Sequence, residues 1–386
     1  MRFWLGWTFG LALMLVVLVW GFSQWNLRYY HQYIGERLEL LVELRQGAIA
    51  EYFATAEAEM RFWSGNQTLI SAVVEMNQAW AAHGDSAAAD IYQLYVTDNP
   101  SPPGYLLNLE DADDGSRYSA LHKQVHESAR QFVTRRGYYD FFLIGPEGDV
   151  FYTVEKESDF TTNIMTGQWK DTGLAAAFTE AKRGNKGRII AMSDMEPYGP
   201  SDGAPAMFVA TALHDEQDKF VGVLALQLPT DTILGIMAYT SGMGESGETY
   251  LVGQDLLMRS DSRFAEDSTV LVQKVDSPTA QLALAGEEGR GVIKDYRGIE
   301  VLSAYMPLEI GKFRWAVMAE MDSAEVVDFA ASERPALAGA LALIYGLSLW
   351  TVWYWRGRRL PEEGAQADLA HLSLTESDSG NGSMSD

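Results

Sequence analysis

Residues 219–233 read KFVGVLALQLPTDTI, an alternating apolar run that ends at a proline and passes into an acidic helix start. The same grammar returns at 312–326, KFRWAVMAEMDSAEV, with Phe220 and Phe313 lying 93 residues apart. A Lys-Phe entry, a strand and a helix start, repeated at that separation, predict two copies of one α+β unit. Working outward, YYDFFLI (138–144), DVFYTV (149–154), GRIIAMSD (187–194) and AMFVATALH (206–214) complete the first set of strands. ETYLVG (248–253), LLMRSD (256–261), RGVIKDY (290–296) and IEVLSAYMPL (299–308) complete the second. Each unit is therefore expected to be a five-stranded antiparallel sheet with one face covered by helix or by its neighbour.

The ends of the chain point to a membrane. No residue from Phe3 to Leu27 is charged, and Leu5 to Phe22 is almost wholly apolar, a length that approaches the ~30 Å hydrocarbon thickness. Trp4, Trp7, Trp20 and Trp25 sit toward its two ends, and no small-residue cleavage site follows, so an uncleaved anchor is expected. A second uncharged segment, Pro335 to Trp355, is followed by Arg356, Arg358 and Arg359, which assign the tail to the cytoplasm by the positive-inside rule. Two spans, with Arg2 at the front, place both termini inside and residues ~26–334 outside. Gly6 and Gly10, and Ala338, Ala342 and Gly346, put small residues one turn apart, a pattern that lets helices approach closely in lipid.

Of 386 residues, 47% are hydrophobic, enough for one or two full cores, and the net charge is −24. Most of that charge lies between the two apolar segments, and such a surface repels nucleic acid and anionic headgroups. The absence of cysteine excludes disulfides, thiol catalysis and zinc-thiolate or iron–sulfur sites. No nucleophile motif, metalloprotease His-Glu pair or Walker loop occurs, so the chain is not expected to be an enzyme or to carry a cofactor.

After the first span, Ile34, Leu38, Leu41, Leu44, Ile49, Phe53, Ala56, Met60 and Trp63 recur at helical spacing. They predict a stalk helix that, if unbroken to Trp80, is ~80 Å long. Residues ~84–118 read as loop and Ser119 to Arg136 as helix.

Taken in order, DNPSPPGY (98–105), DGSRYSALHKQVHESARQFV (114–133), YYDFFLIGPEGDVFYTVEKESDFTTN (138–163), GESGETYLVGQDLLMRSDSRF (244–264) and KDYRGIEVLSAYMPL (294–308) resemble the double Cache sensor domain. In that family two PAS-like modules are strung along a long helix between two membrane spans, as in bacterial methyl-accepting chemotaxis proteins and membrane-bound nucleotide cyclases. The resemblance covers about Leu94 to Val326. It implies a first membrane helix at 1–25, a stalk and helical or loop region at 26–136, a membrane-distal Cache module at 137–235 and a membrane-proximal one at 236–330. A second membrane helix at 335–355 and a disordered tail at 356–386 complete the scheme. Relatives usually continue past the second span into a signalling bundle, kinase or cyclase. Here 31 residues follow, too polar to bury a core, so the expected partner is a second copy or a separate signalling protein.

By the same resemblance the distal module is the usual ligand site. Tyr139, Asp140, Phe142, Tyr152, Asp159, Trp169, Asp171, Asp194, Tyr198, Ser201 and Asp202 are its candidates. Aromatic faces and carboxylates together suit a small cationic or zwitterionic solute. The amino-acid-binding branch of the family has an arginine shortly before a Trp-Tyr pair. NIMTGQWKDTG (163–173) lacks it, which disfavours amino acids. In the second module RSDSR (259–263) and KDYRG (294–298) are either an anion site or loops tied by Asp-Arg pairs, the second reading being preferred. His122 and His126 share a helix face, but no third ligand accompanies them. GMGESG (242–247) matches the dinucleotide fingerprint literally, yet helix precedes it and strand follows, so it is read as a connector. The favoured function is extracytoplasmic sensing passed through the membrane helices to a partner. The alternatives are a membrane-anchored scaffold of an envelope complex and the sensor half of a split receptor or kinase.

Overall fold

The computed structural model describes residues 2–184, 189–332 and 334–355. The expected tail at 356–386, with Arg356, Arg358 and Arg359, lies outside the described residues, as do the side chains of Trp4 and Trp7 and the surroundings of Gly6. Residues 35–323 form one compact unit, and the described parts of 1–34 and 324–386 form another.

In the second of these units, α1 (Arg2–Ser64) begins the chain, and α8 (Ser323–Ala331) and α9 (334–355) follow the sheets. The apolar stretches of α1 and α9 are long enough to cross a membrane by length and composition. Asn26 Nδ2 donates to the Ala330 carbonyl at 2.8 Å. Ala12, Ala338 and Ala342 line a groove of about 680 Å³ with Leu15, Val16 and Leu337. Within the chain, a Cβ added at Gly10 or Gly346 would meet nothing within 4 Å.

In the larger unit α1 buries Leu38, Val42, Ile49, Phe53, Ala56 and Met60, a single stripe with three- and four-residue steps and one seven-residue gap. The stalk does not run unbroken to Trp80. It stops at Ser64, and Asn66 caps α2 (Gln67–His83) by accepting from the Leu69 N–H at 3.1 Å, a bond that favours a new helix start over continuation. The expected loop at 84–118 also contains α3 (Ala87–Tyr92), for which the Ala87–Ala89 run supplies helix formers, and a π turn over Gln93–Thr97. α4 (Arg117–Arg136) begins at Ser116, whose hydroxyl accepts from Ser119 N–H, and ends at left-handed Gly137.

The first sheet contains β1 (Asp140–Ile144), β2 (Val150–Thr153), β3 (Ile190–Met192), β4 (Glu196–Tyr198), β5 (Ala204–His214) and β6 (Phe220–Leu228). Its order is β2-β1-β6-β5-β3, with β4 paired to β5 and every pairing antiparallel. One face meets α2 and α4; α5 (Gly173–Lys182) covers the other. On the α5 face Phe142, Ile144, Val150, Leu174, Phe178, Tyr198, Phe208 and Val223 form a core in which every side chain is at least 99% buried. At ~1.5–3 kcal/mol per large apolar side chain, this cluster is a principal source of the unit's stability.

After α6 (Thr230–Met237), the second sheet runs β7-β10-β9-β8, from β7 (Glu248–Val252), β8 (Gly289–Lys294), β9 (Glu300–Ile310) and β10 (Phe313–Asp322), with α7 (Pro278–Ala285) packed on it. The expected five-plus-five strand count is thus corrected to six and four among the described residues. Leu256–Asp261 is not a strand. Leu256 takes a left-handed conformation (φ +66°), and the segment folds back on β7, which it meets through the Val252–Met258 bridge, a bond from the Arg259 N–H to the Leu251 carbonyl and one from the Leu251 N–H to Ser260 Oγ. β4, three residues long with Pro197 at its centre, gave no alternation to read. GMGESG lies between α6 and β7, as the connector reading expects.

Candidate functional site

Antiparallel register fixes which side chains meet. Asp140 stands opposite Gln227 on β6, and Phe142 opposite Ala225, so Asp140, Gln227 and Phe142 share the α5 face. Asp140 is fully buried. Its Oδ1 accepts from the N–H groups of Phe141 (2.6 Å), Val154 (2.8 Å) and Glu155 (3.1 Å), while Oδ2 has no partner. Asp159, also fully buried, comes from the turn after β2. Tyr198 donates to its Oδ2 at 2.5 Å, and Oδ1 is unmet. Gln227 donates from Nε2 to Ser201 Oγ at 3.2 Å and leaves Oε1 unmet. Ser201 donates in turn to Glu157 Oε2 (2.7 Å), and Tyr139 to Glu157 Oε1 (2.6 Å).

The result is one end of a sheet face where three buried oxygens, from Asp140, Asp159 and Gln227, lack donors. Buried acceptors of this kind are uncommon and call for an explanation. Electrostatics bears the same mark. Burial pushes Asp159 up to about 7, with Glu157 adding to the rise and Tyr198 opposing it. Burial, then the neighbouring charges of Asp159 and Glu155, hold Asp140 well above the usual carboxylate range. Lys156, buried beside them, is lowered to about 7 by desolvation, and Asp140 and Glu155 pull it back.

The other sequence candidates are placed elsewhere. A register shift between Leu143 and Ile144 leaves Phe151 as an extra residue, so that Tyr152 pairs with Leu143 and turns to the face covered by α2 and α4. There its hydroxyl meets His126 Nδ1 at 2.9 Å. Asp171 is exposed, in an outer groove of about 760 Å³ with Lys170, Glu180, Arg183 and Lys312. Asp194 accepts from Arg259 Nη2 (3.0 Å) and from Trp315 Nε1 (2.8 Å). Trp169 is half-buried, donates to the Ser158 carbonyl, and lies so close to Gly199 that a Cβ there would sit 2.3 Å from its ring. Asp202 is exposed in a left-handed turn next to Ser201.

Gln227 and Glu157 were not among the candidates. The signal for Gln227 is a lone amide in the apolar run FVGVLALQL. His122 and His126 are packing residues: their rings stack at 4.7 Å, and their Nδ1 atoms meet the Glu110 carbonyl and the Tyr152 hydroxyl. Asp-Arg pairs tie both basic loops of the second sheet, Arg259 to Asp194 and Asp255, and Arg297 to Asp295 and Asp322.

Residues 27–328 match the sequence model of the Cache domain. The chain belongs to the Cache domain family. No curated protein is similar enough to match it. Among solved structures, this Cache protein is similar to the sensory domain of the Campylobacter jejuni chemoreceptor Tlp3 (CcmL), at 14% identity and TM-score 0.45, over 79% of this chain and 99% of that one. The ligand-binding domain of Pseudomonas fluorescens chemoreceptor CtaA, solved with L-serine, is 13% identical with TM-score 0.41, over 76% and 97%. That of the Pseudomonas aeruginosa PAO1 amino acid chemoreceptor PctC, solved with GABA, is 14% identical with TM-score 0.37, over 66% and 97%.

Proposed function

We propose that this Cache protein is a two-pass sensor of the bacterial inner membrane. Its two sheets are PAS-like modules outside the cytoplasm, and the first binds a small cationic or zwitterionic molecule. The observation that carries this reading is the convergence of the unpaired Asp140 Oδ2, Asp159 Oδ1 and Gln227 Oε1 at one buried corner. Acceptors without donors, two of them on carboxyls, are complementary to a cation bearing several N–H groups. Tyr198, Phe142 and Phe208 supply apolar and aromatic walls, and Tyr139 and Ser201 close the corner through Glu157. Binding ties Asp159, on a turn, to Asp140 and Gln227, on strands. The apolar helices α1 and α9 then pass the change to a partner, as a two-state element biased by the ligand.

The test is a thermal-shift and calorimetric screen of the full chain in detergent against primary and quaternary amines, amino acids, organic acids and sugars. Amines or zwitterions raise Tm by mass action, and Asp159→Asn weakens them about tenfold or more. The pH dependence has a definite sign. The ligand needs ionised Asp159, so affinity rises as pH climbs toward about 7 and levels off above it. Binding confined to sugars or organic acids, or unaltered by Asp159→Asn, would refute the reading.

A further inference from the structure

The second sheet holds a buried acidic pair that plays no part in the corner described above. β7 and β10 run antiparallel with Glu248 directly opposite Glu320. Both lie on the face that carries Tyr250, Val252, Ala316 and Met318 of the α7-covered core, and they are 1% and 0% exposed. Like charges opposed across a ladder repel, so the pair works against the sheet unless something compensates it.

The two carboxyls are treated unequally. Glu248 is provided for: Ser262 donates to Oε2 at 2.9 Å and Tyr296 to Oε1 at 2.7 Å. Neither oxygen of Glu320 is met in hydrogen-bonding geometry, and the hydroxyl of fully buried Tyr250 is unmet as well. Burial raises Glu320 to about 7, and Asp295 and Glu248 add to the rise; Ser303 and Tyr250 lie near enough to offset part of it.

What would satisfy this corner must bring positive charge and a few donors in a compact head. Both oxygens of Glu320 lack a donor in strict hydrogen-bonding geometry, and the Tyr250 and Ser303 hydroxyls beside them give Glu320 only partial compensation. A guanidinium would place two of its five N–H groups on the Glu320 carboxylate and leave the others to find acceptors in an apolar core. Calcium requires ~6–8 oxygens, and among the described residues no group of three His, Cys, Asp or Glu could hold a metal ion. A primary ammonium, with three N–H donors around one charge, matches.

We propose that Glu320, Tyr250 and Glu248 form a second binding site, in the second sheet, for the ammonium head of a small primary amine. Tyr296, half-buried in the turn between β8 and β9, is the most exposed member of the group. Its ring meets Tyr250 edge to face at 5.7 Å, and Arg297, paired with Asp295 and Asp322, lies 5.9 Å from the Tyr296 ring centre. The tail of the amine therefore leaves past Tyr296.

The experiment uses the full chain in detergent at about pH 8, above the raised value of about 7 for Glu320. The background is Asp159→Asn, which weakens the corner of the first sheet. Methylammonium is titrated, with tetramethylammonium, which has no N–H, as control. The Asp159→Asn chain is expected to bind methylammonium and gain Tm, and adding Glu320→Gln is expected to cut that affinity about tenfold or more. Equal responses with and without Glu320→Gln, no response in the Asp159→Asn chain, or equal binding of tetramethylammonium would each overturn the proposal. Glu320→Gln keeps the volume and removes an unmet charge, so its amine-free Tm should equal or exceed that of its parent. A fall would make Glu320 a structural acid and overturn the site. A response lost through Glu320→Gln but kept through Asp159→Asn tells against the first corner alone, and the reverse tells against this one alone.

Discussion

At the start of β1 stands Asp140, opposite Gln227 of β6; at the start of β7 stands Glu248, opposite Glu320 of β10. Gln227 and Glu320 are 93 residues apart, as are Phe220 and Phe313, so the repeat places a buried polar acceptor at one position in both sheets. The corners differ in where the second charge sits. In the first sheet an amide occupies the facing strand, and the second carboxyl, Asp159, comes from a turn. In the second sheet both carboxyls are on strands, held at a fixed separation. A charge on a turn can move toward a ligand with little loss, whereas a charge locked in a ladder must be neutralised in place. The first corner is thus suited to a conformational response and the second to occupancy that stabilises a fixed frame.

The two sheets are not independent. Arg259, 2% exposed, binds Asp194 from the β3–β4 connection and Asp255 from the turn after β7. Trp315 of β10 donates to the same Asp194, and its ring meets Phe53 of α1 edge to face at 5.9 Å. Gly253 permits this approach, since a Cβ there would lie 2.3 Å from the guanidinium. Arg259 is buried, but the Asp194 and Asp255 side chains are 23% and 47% exposed, so removing the guanidinium leaves carboxylates that water reaches in part. Arg259→Ala is therefore expected to cost about 1–3 kcal/mol in chemical denaturation of the full chain, and to separate the unfolding of the two sheets into two transitions. A loss under about 1 kcal/mol, with one transition retained, would break the comparison by showing the sheets joined elsewhere.

Exchanging the corner residues sharpens it. Gln227→Glu gives the first sheet a facing pair like that of the second, and should cost about 1–3 kcal/mol at pH ~8. Glu320→Gln gives the second sheet the amide of the first and should gain about 1 kcal/mol. The sign follows from linkage. Glu320 in the folded chain is raised to about 7 from an ordinary 4.5, so its penalty is absent below the lower value, grows between the two and is constant above. The gain from Glu320→Gln must appear across that window. His126, lowered to about 3 by burial, pulls the other way, because its contribution is lost as pH falls below ~6.5. The difference between variant and parent, followed by denaturation midpoint against pH, isolates the carboxyl. A flat difference would show that Glu320 is already compensated.

What was legible is what apolar runs and their spacing carry. The runs at 206–214, 220–228, 299–308 and 313–321 became β5, β6, β9 and β10, because a strand covered on both faces is apolar nearly throughout. The spacing of Phe220 and Phe313 marked equivalent strands. Tyr152 was unreadable, since the extra residue at Phe151 reverses its face without changing composition. Leu256–Asp261 is apolar enough for a strand, but a single left-handed residue removes it from the ladder. Asp140, Asp159 and Tyr198 were found as candidates because carboxylates and tyrosines attract suspicion. Gln227, Glu248 and Glu320 were passed over inside apolar runs, though a polar side chain on a buried face is the informative exception. Asp194 looked like a pocket group, and only long-range packing reveals Arg259, distant in sequence, as its partner.

The smallest expected effect concerns the tyrosines that cap each corner. Tyr296 donates to Glu248 at 2.7 Å and Tyr139 to Glu157 at 2.6 Å, so the two look alike in distance. Their surroundings differ: Glu248 is 1% exposed, whereas Tyr139 is 42% exposed. When Tyr296 becomes Phe, Glu248 keeps Ser262 but no water replaces the lost donor, and about 1–1.5 kcal/mol should be lost. When Tyr139 becomes Phe, Glu157 keeps Ser201 and solvent takes up the remaining bond, so the loss should stay within about 0.5 kcal/mol. Denaturation of both variants side by side measures the ratio. Equal losses would mean that the second corner is as open to water as the first, and a fixed, dry pair on β7 and β10 would no longer describe it.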